Sequence, residues 1–276
     1  EYHPHLMTLT PADWQDYALI DSGHGRKLER FGRYHFIRPE PQALWAPHFE
    51  PAIWDKAEGV FAPSGEDKGQ WQLKTHLPER WEVQFEHLRF YALPTPFRHL
   101  GFFPEQSPHW QWTAEKIKRF IAHYGRAPRI LNLFAYSGLA SLHAAHAGAE
   151  VTHIDASKKA IALGFDNRGL SGMQDAPIRF ITEDAGRFVE KEMKRGRLYD
   201  GIMLDPPKYG RGPKGEVWQI NDDLPHLLQN CASLLSEEAA FFIITIYAIR
   251  TSTSAVRSAI MDILRPKMMC DHTSFE

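Results

Sequence analysis

Three carboxylates stand at or just after the ends of apolar runs in the second half of the chain. Asp155 closes "EVTHID" (150–155), Asp184 follows "PIRFIT" (177–182), and Asp205 closes "YDGIMLD" (199–205). Singly, each reads as well as a turn former or helix cap. In joint register they suit a nucleoside-bearing cofactor, one carboxylate accepting from ribose hydroxyls and another from an exocyclic amine. The turn "NLFAYSG" (132–138) narrows the choice, because Phe134 and Tyr136 stand where a G-x-G-x-x-G cradle needs small residues and only Gly138 remains. A pyrophosphate is therefore disfavoured, and a cofactor without phosphates is not. The third acid opens "DPPKYGRGPKG" (205–215), in which Asp205 and the Pro206 carbonyl can accept from the protons of an amine. Pro206 and Pro207 fix φ and donate nothing to a ladder. Tyr209 can stack on a base for roughly 1–3 kcal/mol. Lys208, Arg211 and Lys214 can meet phosphates or simply decorate a loop.

These residues need a sheet to align them. The apolar runs 129–134, 150–155, 177–182, 199–205 and 240–249 alternate with helical patterns at 138–147, 157–170, 185–195, 219–235 and 253–264. That alternation predicts an α/β, Rossmann-like fold, a parallel sheet with helices on both faces and its ligand beyond the carboxyl ends of the strands. An amphipathic helix carrying Ile117, Phe120, Ile121 and Tyr124 precedes it and ends at Gly125 with Pro128. Residues 1–92 hold most of the tryptophans and read as a small β-rich domain, with a strand at 69–75 and a hairpin at 81–93 turning near His87. The basic "GHGRKLERFGRYHF" (23–36) reads as a solvated loop, and the proline-rich 93–110 as a linker to the domain at 111–276.

Bulk properties set limits. With 32 Lys+Arg against 34 Asp+Glu the net charge is −2, so a polyanion must be met by a local patch. Two cysteines, Cys231 and Cys270, make neither a disulfide framework nor a zinc cluster, and His143 with His146 reads as structural, so no metal is expected. The longest apolar run, "AAFFIITIYAI", is too short to span a bilayer, and the cytoplasm is the expected compartment.

Together, the degenerate turn, "DPPK" followed by an aromatic, and "HLGFFPEQ" (99–106) resemble a group of bacterial large-subunit (23S) ribosomal RNA methyltransferases of the class I S-adenosylmethionine-dependent type, over residues 99–250. The resemblance implies S-adenosyl-L-methionine as cofactor and RNA as substrate. It implies that Asp155 holds the ribose hydroxyls and Asp184 the adenine amine, with Ala156 and Ala185 beside them. Asn132, Phe134, Tyr136, Ser137 and Gly138 would flank the methionine part, while Phe102, Phe103 and Pro104 would cover the pocket. Asp205, Pro206, Pro207, Lys208 and Tyr209 would form the acceptor side. Asn167 matches a helix asparagine of that group, and surface polarity is its expected reading. Class I enzymes carry two more strands after the last helix, so a truncated end is expected here. Members that methylate C5 of cytosine place a cysteine after the fifth strand; "TIYAIRTS" (245–252) has none, and Cys231 reads as a buried helix thiol, which directs the expectation to a base nitrogen. The alternatives are a methyltransferase of a small molecule or protein side chain, and a non-catalytic RNA-binding protein on the same scaffold. A nicotinamide enzyme is disfavoured by the missing glycines. The oligomeric state is not legible.

Overall fold

The computed structural model describes residues 14–65, 69–247 and 252–268. It divides into two compact units, one of residues 14–108 with Gly169–Gly172 and one of the remaining described residues.

In the first unit, β1 (Tyr17–Gly23), β2 (Arg26–Phe31) and β3 (Tyr34–Pro39) form an antiparallel meander. A four-residue helix, α1 (Pro51–Trp54), leads to β4 (Gly59–Pro63), which pairs parallel to β3 and antiparallel to β5 (Gly69–Leu73). A separate hairpin joins β6 (Trp81–Phe85) to β7 (Leu88–Ala92), turning at Glu86-His87 as its alternation indicates. The solvated loop expected at 23–36 is instead most of β2 and β3. Leu28, Phe31 and Phe36 are buried there, and the charges that suggested a loop are partly internal: Arg38 grips Glu29 with two bonds of 2.6 and 2.7 Å. Such a buried pair is tolerable because its geometry is bidentate and the Tyr17 hydroxyl, 2.9 Å away, also donates to Glu29. The expected linker differs as well. A helix, α2 (Ser107–Tyr124), takes over its last residues, and Phe102 lies in the core of the first unit, stacked on Trp14 and edge-on to Phe31 and Phe90. Phe103 and Pro104 follow it in the same unit.

The second unit is the expected α/β sheet. Its strands are β8 (Arg129–Leu133), β9 (Glu150–Asp155), β10 (Ile178–Thr182), β11 (Gly201–Leu204) and, later, β14 (Phe241–Ile244), in the order β10-β9-β8-β11-β14 with every pair parallel. Between them run α3 (Leu139–His146), α4 (Lys158–Leu170) and α5 (Ala185–Lys194). β8 and β11 are apolar runs because both faces are covered; in β11 all four residues are buried. Gly201 is required by that closeness, since a Cβ there would stand 2.6 Å from the Phe241 ring. After β11 comes an unexpected hairpin, β12 (Tyr209–Arg211) with β13 (Val217–Gln219), then α6 (Ile220–Ser233), which runs through Pro225. The last described helix is α7 (Thr253–Met268). The strand expected over 240–249 is shorter, ending at Ile244, with residues 248–249 outside the described residues. Residues 248–251 of "TIYAIRTS" and Cys270 lie outside the described residues. Among the described residues, no helix is long and apolar enough to cross a membrane.

Candidate active site

The order of the sheet reverses between β8 and β11: the chain steps outward through β9 and β10, then returns to pair β11 on the other side of β8. The carboxyl ends of these two central strands therefore flank the crevice in which such sheets take their ligands. "NLFAYSG" leaves β8 there and "DPPKY" leaves β11 there.

The turn after β8 has glycine geometry without the glycines. Phe134 and Tyr136 are held at φ 55° and 48°, and Gly138 at 88° caps α3. A left-handed non-glycine residue costs roughly 1–2 kcal/mol, so two of them need local support. Asp155 supplies part of it. One carboxylate oxygen accepts from the Tyr136 N–H at 2.9 Å and the other from the Ser157 N–H at 2.8 Å, stapling the turn to the end of β9. Burial pushes the Asp155 pKa up, with these two donors pulling against it. Each oxygen retains further acceptor capacity.

Beneath the turn runs a buried polar chain. The Asn132 amide donates to Ser141 Oγ at 2.9 Å, and that hydroxyl lies 2.9 Å from His153 Nδ1, joining β8, α3 and β9. Burial pushes the His153 pKa down to about 3, so the ring is neutral in ordinary buffers. Asn132 is thus committed to α3 rather than offered at the turn. Asn167 also departs from its expected place on the surface. It is fully buried, and its Nδ2 donates at 2.9 Å to the carbonyl of Ser137, itself buried. Asn167→Ala should therefore leave that carbonyl unsatisfied and lower stability by about 1–3 kcal/mol, read as a fall in Tm. A Tm equal to that of the wild type would contradict the anchoring role.

At the end of β10, Asp184 caps α5 by accepting from the Arg187 N–H at 2.9 Å, so the helix-cap reading holds for one oxygen. Ala185 behind it is buried, while Ala156 is half-buried beside Asp155. Past β11, Asp205 and Pro207 are half-buried and Pro206 is buried. The Pro207 carbonyl is taken: Trp218 Nε1–H donates to it at 2.7 Å. Asp205 and Pro206, the expected acceptor residues, immediately precede it. Tyr209 is 51% exposed, with the Arg211 guanidinium 5.9 Å from its ring centroid, and Lys208 and Lys214 are exposed on the same hairpin segment. Cys231 is fully buried among α6 leucines, where burial pushes its thiol pKa up, as suits a packing residue.

Sequence reasoning missed Trp218, the Asn132–Ser141–His153 chain and the Arg187–Glu216 pair, 2.6 Å, that ties α5 to β13's approach. The glycines of "GRGPKG" were the available signal for the hairpin.

The acceptor set fits a phosphate-free nucleoside. It offers carboxylates at the ends of β9, β10 and β11 and no row of glycine amides to cradle phosphate. Strand order and site together define a Rossmann-like domain of the class I methyltransferase type. No family model matches the chain. Among solved structures, the SAM-dependent methyltransferase from Agrobacterium tumefaciens matches with a TM-score of 0.85 at 44% identity, over 93% of this chain and 80% of that one. Ribosomal RNA large subunit methyltransferase K/L of Shewanella baltica is 34% identical over 121 residues, 43% of this chain and 17% of that protein. Ribosomal RNA large subunit methyltransferase I of Aeromonas salmonicida is 32% identical over 93 residues, 33% of this chain and 24% of that protein. The chain belongs to the SAM-dependent methyltransferases.

Proposed function

We propose that the protein methylates a base nitrogen in RNA, ribosomal RNA foremost, in the cytoplasm. S-adenosylmethionine supplies an electrophilic methyl group when bound. The chain's own residues do the rest: Asp155 accepts from the ribose hydroxyls, Asp184 from the adenine amine, and the left-handed turn from Phe134 to Gly138 borders the methionine part. Asp205 and the Pro206 carbonyl accept from the protons of an exocyclic amine, which localises its lone pair and holds it for in-line attack. Positioning lowers a large part of such a barrier, and the proton that the methylated nitrogen must shed would pass to Asp205, which already accepts from it. Tyr209 stacks on the extruded base, and Lys208, Arg211 and Lys214 meet its flanking phosphates.

One observation carries the RNA reading: an exposed aromatic flanked by three exposed cations follows directly on the acceptor pair. The names of the Shewanella and Aeromonas relatives support it. A small-molecule methyltransferase would have no use for those cations. The reading is tested by RNA binding across a salt series. Affinity should fall steeply with salt, and replacing Lys208, Arg211 and Lys214 together should lower the slope of log K against log salt by about 2, at roughly 0.7 per phosphate in a single strand. A slope that does not change would favour the small-molecule alternative. S-adenosylmethionine should separately raise Tm by several degrees at millimolar concentration, as a ligand of the native state alone must.

A further inference from the structure

The turn after β8 and the hairpin after β11 are joined by a side chain that neither cofactor nor acceptor chemistry demands. Trp218, on β13, is buried. Its ring meets Phe134 at a centroid distance of 4.9 Å, and its indole N–H donates to the Pro207 carbonyl at 2.7 Å. Phe134 is also a left-handed residue at φ 55°, where an L side chain is unfavourable and glycine is free. An aromatic at such a position has a use here, because only a large ring reaches Trp218. Other bonds of the hairpin, among them the Ile220 N–H to the Lys208 carbonyl at 3.1 Å and Arg187 to Glu216 at 2.6 Å, do not involve the turn.

We infer that Trp218 is a positioning residue that sets the Asp205-Pro206-Pro207 loop from the conformation of the turn after β8. This rests on the reading above, in which the cofactor lies at that turn and the acceptor at that loop. Trp218 occupies the Pro207 carbonyl and so presents Asp205 and the Pro206 carbonyl to the acceptor. Through Phe134 it makes that presentation depend on the turn, so the acceptor clamp is ordered on the loaded enzyme.

Hydrogen exchange on the full chain tests this with Trp218→Phe, which keeps a ring and loses the donor, and Phe134→Ala, which removes the ring from outside the hairpin. Without ligand, Phe134→Ala should speed exchange at the hairpin amides of Gly212 and Ile220 by about tenfold, as a local opening made easier would, while the amides of α5 keep their wild-type rates. A purely local role for Phe134 would leave the hairpin rates unchanged, and that result overturns the inference. With S-adenosylmethionine, the wild type should be protected both at the turn, read at the Tyr136 amide, and across the hairpin. In Trp218→Phe, protection should stop at the turn, with kcat lowered and cofactor affinity kept; hairpin protection as in the wild type overturns the inference. No protection at the turn of the wild type would count against the cofactor reading, and the ligand-free comparison then decides the coupling by itself.

Discussion

Asp205→Asn is expected to lower kcat by about 100- to 1000-fold, the scale seen when one preorganised polar group is removed from a reacting centre, while cofactor affinity stays close to wild type. The substitution keeps the size of a half-buried side chain at the end of β11, so packing against buried Leu204 and Pro206 is preserved. What changes is polarity. An ionised carboxylate is acceptor-only, whereas a carboxamide offers two donors. Turned toward an amine it either presents one acceptor of reduced charge or sets donor against donor. The Pro207 carbonyl already accepts from Trp218, and on this reading the Pro206 carbonyl takes the amine's other proton, so neither replaces the Asp205 carboxylate. Tritiated methyl transfer under single-turnover conditions, with calorimetry of cofactor binding alongside, separates the two effects. Unchanged turnover would refute the acceptor role, whereas a non-catalytic RNA-binding protein would show no methyl transfer in either form and an in vivo phenotype untouched by the substitution.

Asp155→Ala should give the opposite pattern: a cofactor affinity about 100-fold weaker, or about 3 kcal/mol for charge-assisted bonds to two hydroxyls, with a much smaller change in stability. Two opposing terms explain the small change. Removing the carboxylate orphans the N–H groups of Tyr136 and Ser157, which destabilises the turn. Against this, burial raises the Asp155 pKa in the folded chain. A raised folded-state pKa means that the group's stabilising contribution is present below its unfolded pKa and is lost as pH rises through the folded value. At neutral pH the ionised carboxylate is therefore a cost, which alanine removes. The same sign gives a pH dependence. On acidification, Asp155 takes up its proton at a higher pH than an ordinary aspartate, so cofactor binding should begin to weaken there. Affinity measured against pH, with Tm recorded in parallel, checks both statements; binding that is flat down to the ordinary aspartate range would contradict them.

The second unit was legible because its central strands β8 and β11 are buried and read as nearly unbroken apolar runs, and because strand and helix patterns alternate along the chain. The acids were legible for a related reason: strand ends fix their register, and their chemistry needs no partner to be recognised. What escaped was set by partners distant in sequence. Strand β2 is "RKLERF", four charges in six residues, and becomes a strand only because Glu29 finds Arg38 across the sheet. Asn167 looks like any polar helix residue until the Ser137 carbonyl, thirty residues back, is placed over it. With Phe134 and Tyr136 in "NLFAYSG", the sequence points to a degenerate turn that lacks a phosphate cradle. The backbone instead keeps the glycine conformation, with Asp155 and the Phe134–Trp218 contact offsetting its strain.

The central claim is that the chain transfers a methyl group from S-adenosylmethionine to a nitrogen of an RNA base. The most direct measurement offers the purified protein tritiated cofactor and total RNA from a strain that lacks it, with RNA from the parent strain as control, then identifies the labelled nucleoside by mass spectrometry. The account predicts label in the deficient RNA alone, on a base nitrogen, and none with Asp205→Asn. Label in neither RNA, or on a base carbon, would contradict it.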